Sequence, residues 1–170
     1  MREPHNLQTN QEPRVVIRQA RGADAAALAA LYRSLVPDPH INVRPERLEA
    51  LAADPHTYLL VCEVDGMVCG TVLLTLCLDA MYGYQPYGVL ENVVVAEAQR
   101  GQGMGEQLLA HVEALCCQHD CSKIMLLSTA SRTQAHRFFE RQGFSAANKR
   151  GFVKYRRQFR SLQAPNGPSA

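Results

Sequence analysis

The amino-acid sequence predicts an α/β domain: a mixed sheet with helices packed over it. Three observations carry that prediction. Apolar residues recur at strand or helix spacing along the chain, in the order β-α-α-β-β-β-α-β-α-β. An Asp-Gly pair, Asp65–Gly66, separates two long apolar runs, as in a tight hairpin. The 170 residues, 46% of them hydrophobic, suffice for one core, and no apolar run reaches the ~18–20 residues that span a bilayer.

The elements follow in order. "RVVIRQA" alternates as a short strand, and "GADAAALAALYRSLV" follows as a helix with Asp24 at its N-cap and Leu28, Leu31 and Leu35 on one stripe. "RPERLEALAAD" reads as a second short helix, because Pro45 suits a first helical turn. "TYLLVCEV" and "MVCGTVLLTLCL" flank the hairpin turn. After the Tyr/Gly/Pro-rich loop "DAMYGYQPYG", a further strand runs "VLENVVV". The helix "GEQLLAHVEALCC" aligns Leu108, Leu109, Val112, Leu115 and Cys116, and "KIMLLS" reads as a short buried strand. "TQAHRFFERQ" forms a helix ended by Gly143, and "GFVKYRRQF" a last strand. Residues 1–12 and 161–170 read as disordered tails around a single domain at 13–160.

Composition narrows the function classes. "MREPHNLQTNQEP" has no apolar core of a secretory signal, so a cytoplasmic protein is expected. The net charge of +2 is too small to argue for nucleic acid, and the locally basic "KRGFVKYRRQFR" reads as a strand with a solvated face. Cys62, Cys69 and Cys77 sit in apolar segments and behave as small hydrophobes. "CCQHDC" at 116–121 lacks a second pair at zinc-ligand spacing, so a helix end is expected there and no metal.

"VVVAEAQRGQGMGEQLL" holds the chemistry. It sets Gly101, Gly103 and Gly105 between an apolar strand and a helix. No Gly-Lys-Ser/Thr follows, which excludes a P-loop, and G-x-G-x-x-G fails because its third position falls on Glu106 or Leu108. What fits is Arg-x-x-Gly-x-Gly opening a helix: successive N–H groups converge at the positive end of the helix dipole, where a pyrophosphate can sit without lysine or magnesium.

These residues resemble the GNAT superfamily of acetyl-CoA-dependent N-acetyltransferases, whose hallmark [Q/R]-x-x-G-x-[G/A] is similar to Arg100–Gly105. A second stretch, "STASRTQAHRFFERQGF", is similar to the family's later helix block with its A-x-x-F-Y-x-x-x-G-F pattern. The likeness covers roughly residues 14–160. "R-x-x-AHRF" followed by "F-x-K" is further similar to small-amine acetyltransferases, including an aminoalkylphosphonate type. The resemblance implies the acyl-CoA N-acyltransferase fold, of mixed α+β kind, with a mostly antiparallel sheet flanked by helices.

It also implies a site. Arg100, Gly101, Gln102, Gly103, Met104, Gly105 and Glu106 would cradle the pyrophosphate of acetyl-CoA, and Val93, Val94 and Val95 would pair with its pantetheine arm like an added strand. The resemblance implies that the acceptor would be a primary amine, of a small molecule or a protein, attacking directly in a ternary complex; a homodimer is left open. Shedding the ammonium proton needs an acceptor. Glu91 is the candidate base, because period two sets it on the face of Val93 and Val95 in an apolar strand where it would be buried. Its alternative is an edge glutamate facing solvent or paired with an arginine, and Glu63 is the second candidate. Where many relatives carry a tyrosine beside the leaving thiolate, this chain has Phe139, so water, Tyr155, Ser131 or the substrate ammonium would supply that proton. Arg132 takes the place of an asparagine that contacts the cofactor, and shares a helix face with His136. Tyr82, Tyr84 and Tyr87 would either form an aromatic wall for a cationic amine or simply pack their own loop. The alternative function is an acyl-CoA-binding regulatory module with little or no turnover.

Overall fold

The computed structural model describes residues 13–159, so both expected tails lie outside the described residues. The chain forms two compact units, one reaching to Ser128 and the other starting at Thr129.

The first unit contains β1 (Val15–Gln19), α1 (Ala25–Leu35), α2 (Pro45–Ala52), β2 (Thr57–Val64), β3 (Met67–Cys77), β4 (Tyr87–Val95), α3 (Met104–Gln118) and β5 (Ile124–Leu126). The sheet order is β1-β2-β3-β4-β5. Every pairing is antiparallel except β4 with β5, which is parallel. The mostly antiparallel mixed sheet is therefore observed. Asp65 and Gly66 take φ of 48° and 84°, the left-handed pair that a two-residue hairpin turn requires, and set Val64 opposite Met67.

Helices cover both faces. Leu59 and Val61 of β2 pack with Ala20, Leu28 of α1 and Leu48 of α2. Period two sends Leu60 and Cys62 to the other face. There Leu108 of α3 stands against Gly70, Cys116 stands against Gly88, and the Cys62 thiol meets Met104 Sδ at 3.7 Å. Of the stripe read from the spacing, Leu108, Leu109, Val112 and Cys116 are buried and Leu115 is half-buried.

Four expectations change. Asp24 precedes α1 but its carboxylate makes no cap to that helix. It accepts instead from Arg21 N–H at 2.8 Å and from two Arg18 nitrogens at 2.8 and 2.9 Å. Glu63 takes the remaining side of the same guanidinium, at 2.8 Å from Arg18 Nε, so the second candidate base is an ion-pair partner binding β2 to β1. β5 is shorter than read and half-exposed, because it is an edge strand with β4 on one side only. The last strand, 151–159, does not form: residues 151–155 take no regular structure, and the chain then turns through Arg156–Gln158. Both alternation classes of that segment carry cations, Lys154 and Arg156 on one and Arg157 on the other, so neither face is apolar enough to be buried.

In the second unit α4 (Thr133–Arg141) buries Phe139, whose ring centroid lies 5.3 Å from Phe138 and 5.9 Å from Phe144. Gly143 (φ 85°) closes the helix, with Phe144 N–H returning to Phe139 O at 3.0 Å. No helix among the described residues is long and apolar enough to cross a membrane.

Candidate active site

β4 positions the site through two irregularities. The first is a bulge. Thr71 pairs with Val94 and Leu73 with Glu91, so Asn92 and Val93 together oppose Val72. Asn92 absorbs the extra residue in the left-handed region, φ 55°, which asparagine tolerates better than most side chains. One inserted residue reverses the facing of everything beyond it. Glu91 therefore shares the α1 side of the sheet with Thr71, Leu73 and Val94, while Val93 and Val95 face α3. Glu91 is also exposed rather than buried. Both features depart from the period-two expectation, because a bulge is specified by the partner strand and not by β4 alone.

The second irregularity is a splay. β5 follows β4 only from Gly88↔Ile124 to Leu90↔Leu126. Beyond Leu90, β4 runs on to Val95 with β3 on one side and, among the described residues, no strand on the other. Val94 is buried while Val93 and Val95 are half-buried, so these valines serve the core and border the opening at once.

The loop that follows is braced from within. Ala96 N–H bonds to Cys69 O at 2.7 Å, Arg100 Nε to Val95 O at 3.1 Å, and Gln102 Nε2 to Ala98 O at 2.9 Å. Gly101 and Gly103 have φ of 73° and 81°, and a Cβ on either would meet nothing within 4 Å. Gly103 is the N-cap of α3 and offers no side-chain cap, so the N–H groups that open the helix stay available. Among the described residues, no protein acceptor meets the backbone N–H groups of residues 101–106. Open space over left-handed glycines, free donors and a helix N-terminus together fit a pyrophosphate. Met104 contributes only backbone here, since its side chain is buried against Cys62. Arg100, Gln102 and Glu106 are exposed at the loop rim.

Ser128 was not singled out from the sequence. It lies two residues past β5, at the end of the strand that diverges from β4, and its buried hydroxyl has no hydrogen-bond partner. A buried hydroxyl without a partner costs about 1–3 kcal/mol, so such a group calls for a ligand or a functional reason. The available signal was a lone hydroxyl closing the apolar run "KIMLL".

The three tyrosines do not form one wall. Tyr82 and Tyr84 stand in solvent on the β3–β4 loop, 66% and 102% exposed, whereas Tyr87 begins β4 with Lys123 Nζ 4.8 Å from its ring centroid. In the second unit, Arg132 is exposed at the N-cap of α4, and His136 Nε2 lies 3.0 Å from Thr129 O. Tyr155 and Ser131 are exposed. No cluster of three or more His, Cys, Asp or Glu side chains that could hold a metal occurs among the described residues.

The chain is similar to several known proteins. The model of the acetyltransferase (GNAT) family matches residues 26–144. An aminoglycoside N(6')-acetyltransferase type 1 of Stenotrophomonas maltophilia is 33% identical over 135 residues, covering 78% of this chain and 88% of that protein. An aminoalkylphosphonate N-acetyltransferase of Salmonella typhimurium is 29% identical over 57% of this chain and 62% of its own length. A solved structure from Agrobacterium tumefaciens, assigned to an acetyltransferase, superposes with a TM-score of 0.75 at 31% identity, covering 82% of this chain and 99% of the other.

Proposed function

This chain belongs to the acetyltransferase (GNAT) family and is an acyltransferase by that membership; from that premise we propose that it moves an acetyl group from acetyl-CoA to a primary amine of a small molecule, by direct attack in a ternary complex. The observation that carries the reading is the loop 101–106, with its free N–H donors at the start of α3 beside the β4–β5 opening. The pyrophosphate binds those donors. The pantetheine arm runs along the free edge of Val93–Val95 and ends at the point where β4 and β5 part.

Glu91 takes the ammonium proton. Its carboxylate is exposed and reaches the acceptor directly or through one water, which general-base catalysis allows. Ser128 supplies the hydrogen bond that Phe139 cannot give to the leaving sulfur, since its hydroxyl is buried and unpaired at the end of the diverging strand. Aligning amine and thioester in one cleft contributes several kcal/mol without any proton transfer. The acceptor class follows the relatives that act, by name, on aminoglycosides and aminoalkylphosphonates: polar, amine-bearing small molecules.

Thiol release from acetyl-CoA over a panel of aminoglycosides, aminoalkylphosphonates and polyamines tests this, with thermal shift as the binding arm. Stabilisation by acetyl-CoA together with amine-dependent thiol release is expected. Stabilisation without release on any amine would favour a regulatory acyl-CoA-binding module instead.

A further inference from the structure

We propose that the first unit carries a second ligand site, for a small organic cation with an apolar arm, in a trough beside α3 at the β1 edge of the sheet. The trough has a volume of about 460 Å³, within the usual range for small-molecule sites. Gln19, Tyr58 and Leu60 form its base, the α2–β2 turn with Asp54 one wall, and His111 and Leu115 of α3 the other. By register Leu60 pairs with both Gln19 and Val72, and Tyr58 with Leu74, which puts these side chains on the α3 face. No residue of the glycine loop lines the trough. The β4–β5 opening lies at the other end of the strand order, and two strand spacings of about 4.8 Å already separate β2 from β4.

The lining chemistry selects the ligand's sign. Asp54 is the lone carboxylate, and no lysine or arginine lines the trough. That carboxylate is fixed in place by His56 N–H at 2.9 Å and the Thr57 hydroxyl at 3.0 Å, stands 3.8 Å from His56 Nδ1, and is half-exposed. The Tyr58 ring is held by a 2.7 Å contact between its hydroxyl and His119 Nε2, so an aromatic face is presented without loss of rotamer freedom on binding. Leu60 in the base and Leu115 in the α3 wall supply apolar lining. Residues 13–128 hold thirteen Asp and Glu against eight Lys and Arg, a formal charge of −5 in a chain whose total is +2. This site does not depend on the acetyl-transfer reading.

The full chain titrated with benzyltrimethylammonium tests it, because a quaternary nitrogen cannot be acetylated and so reports no turnover. Calorimetry should show saturable 1:1 binding, weakened about tenfold when uncharged benzyl alcohol replaces the cation. Asp54→Asn keeps an acceptor for His56 N–H and turns an amide N–H donor towards the Thr57 hydroxyl, which can accept, but removes the charge, and should weaken the cation by a similar factor. Leu115→Trp should fill the trough and abolish binding while leaving acetyl-CoA stabilisation intact; if that variant does not fold, Asp54→Asn and the neutral probe still decide. Absence of saturable binding, equal affinity for both probes, or displacement of the cation by acetyl-CoA would each overturn the proposal.

Discussion

Glu91 and Val94 lie on the same face of β4, although they are three residues apart, because the bulge at Asn92 places two residues opposite Val72. The consequence is a division of labour between the two faces. Val93 and Val95 turn towards α3, and Glu91 turns towards the α1 side, where an acceptor can reach an exposed carboxylate. Glu91→Gln should therefore keep fold and acetyl-CoA affinity and lower kcat/KM at neutral pH by about 10²-fold, the lower end of general-base contributions, as suits a solvated base. The defect should shrink as pH rises towards the amine's own pKa, since more substrate then arrives deprotonated. A near-normal rate at pH 7, or a defect that does not change with pH, would remove Glu91 from the mechanism.

Ser128 is expected to trade stability against rate. Its buried hydroxyl has no partner, so Ser128→Ala removes a desolvated group and should leave the free protein unchanged or up to about 1 kcal/mol more stable in urea melts. The same change should lower kcat about tenfold to a hundredfold with little effect on the KM for acetyl-CoA, because it removes a donor used as charge develops on sulfur. Ser128→Thr should restore most of the rate. Loss of stability with unchanged kcat would assign the residue to packing.

Arg18 bridges Asp24 and Glu63, and its guanidinium holds the Asp24 carboxyl below the usual carboxylate range. A depressed carboxyl contributes stability above its unfolded value, near 4, and loses that contribution as pH falls through its lower folded value. Asp24→Asn should cost about 1.5–3 kcal/mol at pH 7, the range for hydrogen bonds to charged groups. The gap between variant and parent should stay constant from pH 6 to 8 and close progressively below pH about 4. Paired urea melts across that range check it, and a gap independent of pH down to 3 would show that shape rather than charge holds the turn.

What was legible in the sequence was local. The Asp65–Gly66 turn and the glycine loop announce themselves because each backbone conformation is set by residues adjacent in the chain. The facing of Glu91 was not legible, since it depends on register with β3. Nor was the fate of Asp24: an N-cap was a sound local reading, yet Arg18 on β1 outcompetes the α1 backbone for its oxygens. The solitude of Ser128 is a property of what surrounds it, and no pattern in one chain encodes that. The segment 151–159 misled for the opposite reason, because its β-prone aromatics suggest a strand while its interleaved cations leave no side to bury.

The pyrophosphate assignment rests on Gly103, and Gly66 provides its matched control. Both take a left-handed φ, 81° and 84°, and at both a Cβ would meet nothing within 4 Å. Valine at either position forces a β-branched side chain into the left-handed region, so both variants should lose stability by a similar amount, about 2 kcal/mol. Only one of them lies at the proposed acetyl-CoA site. At Gly103 the new side chain projects into the concavity that opens α3 and blocks donors to the phosphates. Losing two charge-assisted hydrogen bonds at about 1.5 kcal/mol each weakens binding by about 10²-fold or more. Gly66→Val, in the β2–β3 turn, should bind acetyl-CoA as the parent does. Calorimetry on the two folded variants at one temperature separates strain from steric block, because strain is common to both and the block is not. Equal affinities in the pair would mean that the loop is a turn and nothing more, and the cofactor would have to be sought along another edge of the sheet.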